Sequence, residues 1–174
     1  MRHLTRVIVA SVALLVSPSA QANDWDNCWD LAGQPAVSAC SRLIASGRYS
    51  GEMLGKIYSS RCFHHVELNN LPAAIDDCNR ALALHPRNEK AYHNRAVAKR
   101  RSGNHQAALA DVDQAIRLKP DYYMAFLLRG LLYEHMGNVE QARANFRVAA
   151  GAPHTAQNQR AITGGREGLA RVGQ

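Results

Sequence analysis

The stretch from Glu89 to Tyr122 reads EKAYHNRAVAKRRSGNHQAALADVDQAIRLKPDY and spells out one helical hairpin. Its first half sets Ala91, Tyr92, Ala96 and Ala98 at helical spacing around Arg95 and Lys99, and Ser102-Gly103-Asn104 then stops the helix with a residue free to turn left-handed. A second helix begins at once, with an apolar stripe of Ala107, Ala108, Val112, Ala115 and Ile116. Pro120 closes it, because proline lacks the amide that a continuing helix needs.

Working outward, the same residues return at a step of 34. Arg61, Arg95 and Arg129 keep that step, as do Tyr58, Tyr92 and Phe126, then Ala74, Ala108 and Ala142, then Ala81, Ala115 and Ala149. Leu68-Asn69-Asn70 and Met136-Gly137-Asn138 supply the matching turns, and Pro86 matches Pro120. The third copy is less regular, with Pro153 one residue before the expected place, which His154 holds. A unit this short cannot bury its own apolar face, so the copies must stack, and stacking builds an extended concave surface.

A hairpin of this length, with small residues where its helices meet and aromatic residues elsewhere, resembles the tetratricopeptide (TPR) family. The resemblance covers residues 55–156 as three units, 55–88, 89–122 and 123–156. The family's aromatic slot holds Tyr58, Tyr92 and Phe126, its glycine-like slot Cys62, Ala96 and Gly130, and its second aromatic slot His65, Lys99 and Tyr133. Cys78, Val112 and Phe146 fill the larger slot of the second helix. Lys99 departs from the pattern, and its stem is expected to cover apolar surface while its ammonium reaches water. The resemblance implies an all-α, right-handed α-solenoid with a capping segment at 23–54 and a capping helix at 157–174.

Arginine stands in all three copies where the family usually carries leucine. A guanidinium at a helix contact needs a partner. Asp77 and Asp111 follow Arg61 and Arg95 by sixteen residues, and Asn145 holds that place after Arg129. Pairing within units would join Arg61 to Asp77 and Arg95 to Asp111; pairing between units would join Arg95 to Asp77 and Arg129 to Asp111. Asn145 slightly favours the second scheme, because no arginine follows the last unit. Before the array, Pro35 to Ile44 reads as a short helix, and Ser50 can cap the next. After it, Thr155 to Val172 reads as an amphipathic helix weakened by Gly164-Gly165.

The first residues, MRHLTR, precede an apolar run from Val7 to Val16 and then Ala20-Gln21-Ala22, the pattern of a secretory signal cleaved after Ala22. The run is too short for a permanent span, so a periplasmic or secreted chain without stable membrane insertion is expected. Losing Arg2 and Arg6 would leave 19 basic against 14 acidic residues, a moderate and dispersed excess with no basic block for nucleic acid. Cys28, Cys40, Cys62 and Cys78 are even in number, which suits an oxidising compartment, and of three connectivities Cys28 with Cys40 and Cys62 with Cys78 is expected. Buried unpaired thiols are the alternative.

The chain carries no phosphate-binding glycine loop, Cys-x-x-Cys pair or Gly-x-Ser-x-Gly turn, and no enzymatic activity, metal or cofactor is expected. His85, His93 and His135 read as ordinary surface or groove histidines. The TPR resemblance places the binding wall on the first helix of each unit: Lys56 and Phe63; Lys90, His93, Asn94, Val97 and Arg101; and Met124, Leu127, Leu131 and His135. A TPR subclass grips chaperone carboxylate termini with lysine, asparagine and arginine, and only Asn94 matches it clearly; Ser59, Phe63, Met124 and Leu128 stand elsewhere in that pattern. The expected function is a monomeric adaptor holding a protein or peptide with acidic and apolar residues. Leu127 and Leu131 have a second reading, as contacts for the C-terminal helix folded into the groove. An envelope enzyme acting on cell-wall or β-lactam compounds and a structural spacer are the rival functions.

Overall fold

The computed structural model describes residues 18–173, with side chains from 23 onward; the basic start and apolar run of the expected leader lie outside the described residues. The described residues form nine helices and no strand: α1 (Pro18–Asp30), α2 (Gly33–Ala45), α3 (Gly51–Glu67), α4 (Leu71–Leu84), α5 (Glu89–Arg101), α6 (His105–Leu118), α7 (Tyr123–His135), α8 (Val139–Ala150) and α9 (Gln159–Val172). Each helix packs on its neighbour in sequence, and α1, α3, α5, α7 and α9 also pack in order along one side. This is an all-α solenoid of helical hairpins. Helix α3 starts ahead of residue 55, and Ser50, its N-cap, makes no side-chain capping bond.

Identical turns set the hairpin angle. Asn69, Gly103 and Gly137 have positive φ of 58°, 81° and 75°. The next amide in each turn, from Asn70, Asn104 and Asn138, donates back to the carbonyls of His65, Lys99 and Tyr133 at 2.8 Å, which satisfies carbonyls the helix end would leave open. Asn88 and Asn104 then accept from the amides of Ala91 and Ala107 to start α5 and α6.

Packing between helices rests on matched volumes. Ala74, Ala108, Ala142, Ala81, Ala115 and Ala149 are fully buried. In the glycine-like slot, Gly130 faces Phe146, whose ring lies 2.6 Å from where a Cβ would stand. Cys62 faces Cys78, with their sulfurs 2.10 Å apart, and the sulfurs of Cys28 and Cys40 are 2.11 Å apart.

The arginines resolve the two pairing schemes. Arg61 donates through Nε and Nη2 to Asp77 at 2.7 Å, and Arg95 does the same to Asp111 at 2.8 and 2.7 Å. Arg129 Nε donates to Asn145 at 2.7 Å. Pairing is therefore within the unit, contrary to the preference drawn from Asn145. The remaining nitrogen, Nη1, reaches the preceding hairpin: Ser41 for Arg61, Asn79 for Arg95 and Asp113 for Arg129. A guanidinium has five donors in a planar fork, so one side chain ties three helices, and its link to the preceding hairpin runs through Ser41, Asn79 or Asp113 instead of through Asp77 or Asp111. Lys99 also differs from expectation, because its ammonium meets Asp111 at 2.7 Å instead of ending in water. His65 lies 3.7 Å from Asp77 in the equivalent place.

At the far end, α9 lies so close to α7 and α8 that only glycine fits. A Cβ on Gly165 would stand 2.6 Å from the amide nitrogen of Ala150 and 2.8 Å from the carbonyl oxygen of Phe146; one on Gly168 would meet the Phe146 ring at 2.7 Å. Gly164 and Gly165, read in the sequence as weak points, are contact points. Gly165→Leu is expected to displace α9 by overpacking against backbone, at a cost of about 2 kcal/mol. Hydrogen exchange should show amides 159–172 losing protection while α3 to α6 keep theirs, with exposed Ala170→Leu as the unperturbed control; protection retained in both variants would contradict the contact.

Candidate functional site

The first helices wall a groove with a cavity of ≈ 520 Å³. Of the expected binding residues, Phe63, Lys90, His93, Asn94 and Val97 line it, as do Arg101, Met124, Leu127 and Leu131. Lys56 and His135 are not among its lining. Lys56 pairs with Glu52 at 2.8 Å on the surface, and His135 stacks on His105 with ring centroids 3.9 Å apart.

The floor is polar and buried. Ser59, Ser60, His64, His93 and Asn94 are each at most 9% exposed. Ser60 Oγ donates to the Cys28 carbonyl at 2.8 Å, and His64 Nε2 approaches the same oxygen at 3.1 Å, so the end of α1 is tied to α3. His93 lies 5.1 Å from the Tyr122 ring. Burial holds its pKa down at about 4, against smaller upward effects from Asn94 and the Met124 backbone, and Arg160 lowers it further. Burial likewise pushes the Tyr122 phenol up to about 12, with Glu89 adding to the shift. His93 is therefore uncharged at neutral pH.

The charge of the groove comes from Lys90, Arg100, Arg101 and Arg160, against the single acidic lining residue Glu67. Arg101 donates to the Val66 carbonyl, which holds the end of α5 against α3. Arg100 is partly buried, its charged form is disfavoured first by desolvation and then by Arg101, and its Nε has no hydrogen-bond partner among the described residues. These cations contrast with the neutralised arginines of the ladder.

Helix α9 borders the groove without filling it. Leu127 packs against Gly164, Arg171 pairs with Glu134 at 2.8 Å, and Leu127 and Leu131 still line the cavity together with Gln157 and Arg160. Leu127 thus meets α9, yet α9 does not occupy the groove, and both leucines stay on the cavity wall. Trp29, Tyr122, Leu128 and Arg160 also line the groove and were missed. For two of them the signal was the repeat step itself: Trp29 precedes Phe63 by 34 residues, and Leu128 follows Asn94 by 34. Arg160 lies beyond the array, where the step no longer applies.

The family profile described as tetratricopeptide repeat matches residues 93–156. No curated protein matches the chain. Among solved structures, a thermophilic TPR protein of Thermus thermophilus is similar at a TM-score of 0.63 and 20% identity, over 79% of this chain and 74% of that one. The second TPR domain of the human RPAP3 protein, solved in complex with an HSP70 peptide, is similar at 0.59 and 25% identity, over 71% of this chain and 99% of that one. The first TPR domain of Spaghetti (RPAP3), bound to an HSP90 peptide, gives 0.57 and 21%, over 71% and 99%. The profile falls on the second and third hairpins, and beyond them the chain shares its fold with tetratricopeptide repeat proteins.

Proposed function

We propose that the chain is an exported, monomeric adaptor that holds a protein or peptide segment carrying acidic and apolar residues in its groove, and that it catalyses no reaction. The observation that carries the reading is the composition of the wall: four cations against one carboxylate, set beside Phe63, Val97, Leu127 and Leu131. Uncompensated charge of one sign in a concave site draws a ligand of the other sign, and the apolar side chains supply contact area. The RPAP3 domains hold chaperone peptides in the same fold. Here the floor carries Ser59, and the third unit offers Met124 and Leu128 in place of the chaperone-gripping cations. Export is supported by the leader pattern of residues 1–22 and by two cysteine pairs at bonding distance, which an oxidising compartment would keep joined.

Lys90→Glu with Arg101→Glu should weaken binding of acidic, apolar peptides by about 10- to 100-fold, measured by fluorescence anisotropy, and Lys90→Glu alone, which leaves the Arg101 bond to Val66 in place, should weaken it in the same direction with the thermal midpoint near that of the wild type. Unchanged affinity in the folded double variant would refute the groove assignment.

His93 gives a pH dependence with a definite sign. Its folded pKa of about 4 lies below the ordinary value of 6.5, so the unfolded chain binds a proton that the folded chain refuses. Stability from this group is complete above pH ~6.5 and is lost as pH falls toward ~4, by about 3 kcal/mol in all. Urea unfolding should show a shallower acid decline for His93→Gln than for the wild type between these limits; parallel declines would contradict the buried neutral state.

A further inference from the structure

We propose that hairpin α1–α2 is a fourth binding unit, and that its Trp29 ends an apolar row, Trp29, Phe63, Val97 and Leu131, that seats an extended acidic peptide. The proposal rests on the groove reading above and adds the ligand's form and its anchor.

Three independent features place α1–α2 in the array. Cys28 precedes Cys62 by the repeat step of 34, so it continues the slot of Cys62, Ala96 and Gly130. Its partner Cys40 lies in α2 as Cys78 lies in α4. Ser41 receives Nη1 of Arg61 as Asn79 and Asp113 receive those of Arg95 and Arg129. The hairpin thus stacks on the first repeat in the way that repeats stack on each other, and its first helix must contribute to the same wall.

Trp29 is what it contributes. The four members of the row stand one repeat step apart, and all four line the cavity. Trp29 is 39% and Phe63 43% exposed, two large apolar surfaces that line the same groove. Aromatic side chains held by rigid neighbours are the usual anchors of an interface. Trp29 is held in this way: the Cys28 carbonyl beside it is bound by Ser60 and His64, and Trp25 meets its ring edge at a centroid distance of 5.6 Å.

The charges decide the occupant. Arg100 and Arg101 lie one helical turn beyond Val97, so a chain seated on the row brings its middle to two guanidinium groups. Aspartate or glutamate there meets two guanidinium groups that make no salt bridge among the described residues, and Glu67 is the one carboxylate in the lining. His93 Nδ1 and Arg100 Nε are buried without hydrogen-bond partners among the described residues. An extended peptide brings open backbone donors and acceptors to such a floor, whereas a helix has spent its own internally. The ligand is therefore an extended segment with an aromatic or aliphatic residue at the Trp29–Phe63 end, followed by carboxylates.

The test uses a fluorescein-labelled peptide in which glutamate alternates with leucine and phenylalanine, and a counterpart with lysine for glutamate. The wild type is expected to bind the acidic probe and to bind the lysine probe at least about 10-fold more weakly. Trp29→Ala should weaken acidic-probe binding about 10-fold without changing the thermal midpoint, and Trp29→Phe should recover most of it. Wild-type affinity in Trp29→Ala, with loss in Lys90→Glu/Arg101→Glu, would overturn the fourth unit and leave the groove reading standing. Wild-type affinity in the Lys90→Glu/Arg101→Glu variant, or no acidic-probe binding by the wild type, would overturn both. Equal affinity for the two probes would overturn the acidic occupant.

Discussion

Close approach between helices is the constraint on which the rest of this structure depends. Each contact between first and second helices leaves room for a fixed total volume, and the hairpins fill it differently: two cysteines, alanine with valine, and glycine with phenylalanine. Phe146 shows how tight the arrangement is, because its ring is bounded by Gly130 on one side and Gly168 on the other. Since every hairpin meets the same limit, every hairpin presents its first helix in the same orientation. That shared orientation turns separate helices into one wall.

The arginine ladder and the groove divide the protein's cations into two populations with different consequences. Arg61, Arg95 and Arg129 are held by carboxylate, amide or hydroxyl partners on two other helices, and each also lies over an aromatic ring, Tyr58, Tyr92 or Phe126, at 5.6, 5.5 and 5.3 Å. Satisfied in this way, they brace the stack and have little left to offer a ligand. Among the described residues, Lys90, Arg100 and Arg160 have no such bracing, and the groove therefore keeps its positive potential.

The repeat step made the three central hairpins legible, because the helix-stopping turns and the small slots are local features that a sequence displays directly. It also carried most of the wall, since side chains of one helix face recur at known spacing. The first hairpin escaped because its connection is short: Cys28 keeps the 34-residue step to Cys62, but Cys40 precedes Cys78 by 38, so the pair no longer looks periodic. The glycines of α9 were misread because helix propensity is a property of the isolated helix, while Gly165 is set by the backbone of Ala150 pressed against it. The arginine pairing was misjudged by treating each guanidinium as a single donor. Lys56 pairs with Glu52 one turn earlier on its own helix, a relation that spacing displays and that was not weighed, whereas His135 meets His105 from another helix, which spacing along one face cannot show.

The central claim is that stacked hairpins present one continuous wall on their first helices and that ligands bind there. Methyl and indole NMR during titration with the acidic, apolar probe tests it most directly. The account predicts that Trp29, Val97, Leu127 and Leu131 shift together with one dissociation constant, while Val112 in α6 and Val148 in α8 stay in place. Shifts concentrated on the second helices, or separate constants for Trp29 and Leu131, would contradict a single wall.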